Sequence, residues 1–178
     1  MKRLIVALAF LASTMHAALA ADAALEAFAN GDFPTAKKLW EPLAAKGDPE
    51  AENGLGQISM ARWMTVAGKF QEPDDNQAVL WFRKAAEQGY APSELALGNM
   101  YLQGRGIPRD MNLAAFWIQK AAEQELPAAE FFYSKLYESG LGVPKDPEKA
   151  KYWMDKAKPA IEAAHPGFLA SHPNMLRN

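Results

Sequence analysis

Cysteine is absent from the 178 residues, and its absence closes several routes at once. No disulfide, thiol nucleophile, zinc-thiolate cluster or lipid-bearing cysteine is available to this chain. Histidine is scarce. Of the three, His165 and His172 each stand before a proline near the C-terminus, with no ligand spacing around them, so neither a metal nor a cofactor is expected. Long apolar runs are missing as well: the stretch from Leu4 to Leu11 is far short of the ~20 residues that cross a bilayer. Charge of one sign is not in excess either. A formal net charge of −2 leaves no basic stripe and argues against a nucleic-acid partner.

The N-terminus does carry a pattern. Lys2 and Arg3 precede the apolar Leu4 to Leu11, and the small-residue tripeptide Ala18-Leu19-Ala20 follows. This is the layout of a secretory signal peptide, so residues 1–20 are expected to be removed and the mature chain to be periplasmic or secreted. Loss of Lys2 and Arg3 takes the formal charge from −2 to −4. The mature chain is expected to be soluble, with no stable membrane insertion. It is long enough for one domain with a sizeable core. Abundant alanine and few runs of valine, isoleucine and threonine favour helices over strands.

Comparison of the chain with itself shows a period of 36 residues. Trp81, Trp117 and Trp153 follow it, inside the sets Ala78-Trp81-Phe82-Ala85, Ala114-Trp117-Ile118-Ala121 and Ala150-Trp153-Met154-Ala157. Each set has the i, i+3, i+4, i+7 spacing of one helix face. The connectors Gly104-Arg105-Gly106-Ile107-Pro108-Arg109-Asp110 and Gly140-Leu141-Gly142-Val143-Pro144-Lys145-Asp146 keep the same interval. In them glycine ends one helix, proline prevents its continuation, and Asp110 and Asp146 are placed to cap the next. Pro147 fits a first helical position.

The unit is therefore helix A, turn, helix B. Leu55-Gly56 and Leu97-Gly98 mark helix A in two copies at an interval of 42, which places an insertion of six residues between Ala61 and Asp74. Ala36, Leu39, Trp40 and Leu43 align with Ala78, Trp81, Phe82 and Ala85 at that same interval. Four repeats follow, over roughly 22–48, 49–90, 91–126 and 127–160, within a repeat domain of 21–160 and a tail of 161–178. A lone helix pair cannot bury its apolar face, so the expected fold is all-α, a right-handed α-solenoid of about four helix-turn-helix repeats. The tryptophans, by their phase, are expected to fill the core between neighbouring repeats.

The run Leu97-Gly98-Asn99-Met100-Tyr101, the connector from Gly104 to Asp110, and then Ala114, Trp117 and Lys120-Ala121-Ala122 resemble the Sel-one-like repeat, a relative of the tetratricopeptide repeat. The likeness covers about residues 31–158. It implies an adaptor or scaffold that holds a protein or peptide partner on the concave face lined by helix A. Carried over from the Leu-Gly landmark, that face comprises Asn53, Gln57 and Met60, then Leu95, Asn99 and Leu102, then Phe131, Lys135 and Glu138. Amides there suit a peptide backbone and apolar groups suit its side chains, although Leu95, Leu102 and Phe131 also fit burial between helices. A cysteine-rich branch of the family binds or slowly turns over β-lactams, and its cross-links are absent here.

The insertion, Arg62 to Phe70, adds Trp63, Met64 and Phe70 outside the repeat pattern. These residues either cover a helix end or anchor a partner, and Trp63 joins the candidate partner-binding set. No catalytic constellation stands out. Ser59, Ser93, Ser134 and Ser139 have no adjacent base, and the glycine-rich connectors lack G-x-G-x-x-G spacing and a preceding strand. The chain is thus expected to be a non-enzymatic interaction module of the cell envelope. The alternative is an envelope enzyme or ligand-binding protein acting on β-lactam-like or peptidoglycan-derived molecules, which would need a perturbed serine or carboxylate in a pocket between repeats.

Overall fold

The computed structural model describes residues 18–64 and 68–166. The expected signal segment through residue 17, Thr65 to Ala67 of the insertion, and the tail from residue 167, with His172, lie outside the described residues. A first helix, α1, covers 18–29. It is followed by α2 (Phe33–Ala44), α3 (Pro49–Met60), β1 (Trp63–Met64), β2 (Phe70–Gln71), α4 (Asp75–Glu87), α5 (Ala91–Gln103), α6 (Met111–Glu123), α7 (Pro127–Ser139) and α8 (Pro147–Ala164). In chain order α1/α2, α3/α4, α5/α6 and α7/α8 are the four expected A/B pairs. The chain divides into two compact units, residues 1–85 and 86–178.

Local chemistry sets where the helices begin and end. The carboxylates of Asp32, Asp48, Asp110 and Asp146 accept hydrogen bonds from the amides of Thr35, Ala51, Leu113 and Lys149 at 3.2, 2.9, 3.0 and 3.0 Å. Such a cap contributes about 1 kcal/mol. Helices α3, α7 and α8 open on Pro49, Pro127 and Pro147, where no amide donor is needed. Helices α5 and α7 close on Gly104 and Gly140, whose φ of 68° and 77° is left-handed backbone that suits glycine.

In the first unit, Ala36, Trp40, Leu43, Leu55 and Ile58 form the core. Two helix A glycines let bulky helix B residues approach the α3 backbone: a Cβ on Gly54 would lie 2.5 Å from the Trp40 ring, and one on Gly56 would lie 2.5 Å from Phe82. In the second unit the core holds Ile118, Ala121, Ala122, Tyr133 and Leu136, and Gly98 gives Ile118 the same access, with a Cβ placed only 2.6 Å from it. The connector after α7 packs backbone to backbone. A Cβ on Gly142 would lie 1.9 Å from the Met111 carbonyl oxygen at the start of α6.

The periodic tryptophans do not occupy the deepest positions. Trp81, Trp117 and Trp153 are half-buried, whereas the residue after each, Phe82, Ile118 or Met154, is buried, as is Trp40 at the equivalent place in α2. The i, i+3, i+4, i+7 pattern marked the correct face, but the center of that face lies one residue further along.

Ile118→Ala is therefore expected to cost about 2–5 kcal/mol by emptying core volume, more than Trp117→Ala. Gly98→Ala is expected to cost about 1–3 kcal/mol by overpacking against Ile118. Urea unfolding of the three variants checks this ranking, and a greater loss in Trp117→Ala would return the tryptophan to the core.

Candidate interaction surface

A second set of residues recurs with the repeats, glutamates at intervals of 42 and 36 and lysines at 36 and 36. Glu52, Glu94 and Glu130 stand in the first turns of α3, α5 and α7 and are all buried. Lys84, Lys120 and Lys156 stand one turn after the tryptophans, with Nζ 4.3, 5.0 and 5.4 Å from the Trp81, Trp117 and Trp153 ring centroids. In the second unit these lysines tie helix B to helix A: Lys120 Nζ lies 3.6 Å from Glu94, and Lys156 Nζ lies 3.7 Å from Glu130. Gln124 donates to the other Glu94 oxygen at 2.7 Å. In the second unit each half-buried tryptophan is thus a platform for a lysine that reaches a buried carboxylate.

Burial raises the pKa of both carboxyls above the ordinary 4.5, and the neighbouring lysine offsets that rise without cancelling it. Glu94 has 0% exposure. A side chain so enclosed cannot meet a substrate, so its raised pKa comes from helix pairing and does not mark a reactive site. These glutamates and lysines were legible as residues spaced by 42 and 36 in the sequence, yet they read there as solvated charges.

The candidate helix A residues fall into two groups. In the second unit Leu95 and Leu102 pack against the core. Asn99, Phe131, Lys135 and Glu138 are half-buried. Phe131, Lys135 and Glu138 come together on one face of α7: Lys135 Nζ bonds Glu138 at 2.6 Å and lies 5.8 Å from the Phe131 ring centroid. Beside them Phe131 and the exposed Phe132 join Pro127 and Ile161 in an open apolar hollow of about 370 Å³. In the first unit Gln57 is exposed and Met60 half-buried, while Asn53, at 7% exposure, lies within the fold.

The insertion forms an antiparallel hairpin, with Trp63 opposite Gln71 and Met64 opposite Phe70. Its two sequence-derived roles are divided between its aromatics. Trp63 packs against the first unit's core and lies 6.3 Å from Phe33, edge to face. Phe70 is 52% exposed and carries the Arg62 guanidinium 4.0 Å above its ring. The Ser59 hydroxyl beside the hairpin donates to the Leu55 carbonyl at 2.8 Å, a bond within its own helix.

Comparison with known proteins follows the same helix pairs. The Sel1 repeat model matches residues 49–90, 91–126 and 127–158. The chain belongs to the Sel1 repeat family. Among solved structures it is similar to a Sel1 repeat protein from Oxalobacter formigenes, with 32% identity and a TM-score of 0.61 over 70% of this chain and 34% of that one. It is also similar to a protective antigen present in uropathogenic Escherichia coli strains and displaying an SLR fold, with 34% identity and a TM-score of 0.62 over 70% of this chain and 25% of that one. The chain thus spans about a third and a quarter of the length of those two proteins. The cysteine rich protein B of Helicobacter pylori, 18% identical over 72% of this chain and 87% of its own, with a TM-score of 0.54, shares the fold. No curated protein matches the chain. Its fold is the α-solenoid of Sel1 repeats, which commonly serves as a protein–protein interaction scaffold and is generally non-enzymatic.

The buried glutamates of this Sel1 protein generate a pH signature. Because the folded chain holds a proton on Glu94 more tightly than the unfolded chain does, this group's contribution to stability falls as pH rises from 4.5 through the folded pKa. Glu94→Gln removes that titration, so its stability relative to wild type is expected to rise from pH 4.5 to pH 7, as read from urea midpoints across that range. A difference that shrinks toward pH 7 would mean that the Lys120 ion pair outweighs the cost of burial.

Proposed function

We propose that this Sel1 repeat protein is an exported interaction module of the cell envelope that holds a protein or peptide partner on its helix A face. The observation that carries the reading is the α7 surface. Phe131, Lys135 and Glu138 are only half-buried and adjoin an apolar hollow, so aromatic, cationic and anionic groups are offered side by side. Mixed apolar and hydrogen-bonding character of this kind suits a protein interface better than a small-molecule reaction center. Export rests on the N-terminal pattern ending at Ala20, with the mature chain periplasmic or secreted.

The test is affinity capture from an envelope extract with the chain from Ala21, beside a variant carrying Gln57→Ala, Asn99→Ala, Phe131→Ala and Lys135→Ala. Asn53 is left unchanged because its burial would confound folding with binding. A protein retained by the wild type and lost from an equally stable variant is the expected result. Equal retention by both would reject the helix A face, and retention of cell-wall fragments alone would favour a ligand-binding role in the envelope. N-terminal sequencing of the exported protein is expected to start at Ala21.

A further inference from the structure

The hairpin encloses a cavity of about 320 Å³ within the first unit, at the small end of the ~300–1,000 Å³ range of ligand sites. Its lining combines two kinds of surface. Leu55 and Ile58 of α3 supply aliphatic wall, and the indoles of Trp63 and Trp81 supply aromatic wall. Glu41, Glu72 and Asp74 supply three carboxylates against the single ammonium of Lys37. Arg62 answers Glu72 at 3.2 Å, and the cavity still retains an excess of negative charge. The backbone holds this wall in place: the Asp74 amide donates to the Ser59 carbonyl at 2.7 Å, which returns the end of the insertion to α3.

We infer that this hairpin cavity is a binding site for a basic side chain, a guanidinium head on an aliphatic stem. An anion would meet carboxylates, and a wholly apolar ligand would strip water from them without pairing them. A guanidinium satisfies both surfaces, because its stem lies on Leu55 and Ile58 while its planar head stacks on indole and bonds carboxylate. Lys84 already covers Trp81 at 4.3 Å, so Trp63 is the ring that receives the incoming cation. The site is separate from the α7 surface and stands whether or not a partner binds there. The 36-residue period does not require it, since the insertion that closes it is extra to the repeat.

The test is calorimetric titration of the whole chain at low salt with the tripeptide Ac-Ala-Arg-Ala-NH2, with agmatine, and with Ac-Ala-Cit-Ala-NH2, whose citrulline has the shape of arginine without its charge. One-site saturable binding of an arginine-type probe is expected, with the citrulline peptide about tenfold weaker or worse. The double variant Glu41→Gln, Asp74→Asn is expected to weaken the charged probe by about tenfold at unchanged melting temperature, since Glu41 is exposed and asparagine caps a helix as aspartate does. Indole NMR signals of Trp63 shift on binding, which locates the probe. Agmatine binding as well as the peptide assigns the site to free small cations, and peptide binding alone assigns it to arginine within a chain. Equal affinity for citrulline, unchanged binding by the double variant, or no saturation overturns the inference.

Discussion

Everything in the helix pairs depends on how closely helix B approaches the backbone of helix A. At Gly56 and Gly98 no side chain intervenes, and Phe82 and Ile118 rest where a Cβ would have stood. The penalty for glycine inside a helix, about 1 kcal/mol relative to alanine, is accepted for that contact. With the two axes so near, the helix A carboxylates in the first turn fall within reach of the helix B lysines. The ion pair of Glu94 follows from the same approach.

Most of the fold was legible because it repeats. Helix ends were readable from Asp110, Asp146, Gly104 and Gly140, where turn chemistry is local and needs no tertiary knowledge. The tryptophans were readable as periodic but not as deep. A helical face spans more than one residue, and the pattern alone does not say whether Trp117 or Ile118 lies at its center. Packing between the helices decides that, and Ile118 is the residue that faces Gly98.

The surface was less legible than the core. Glu94 and Glu130 look in the sequence like ordinary exposed acids of a first helical turn, and nothing near them in the chain reports that a lysine 26 residues away will reach them. The helix A residues were placed by register alone, so Asn53 entered the candidate set although it is buried. The insertion announced itself through Trp63 and Phe70, but strands of two residues are too short to show alternation. A cavity lined by α2, α3, the hairpin and α4 is a property of several elements at once.

The connectors differ in how much change they permit. After α7, Gly142 is pressed against the Met111 carbonyl, and an extra residue or side chain there would push α6 away. The connector between α3 and α4 has no such partner among the contacts at its glycine, Gly68, around which nothing lies within 4 Å. Six residues beyond the 36-residue period are accommodated in that connector, where the glycine meets no neighbouring backbone.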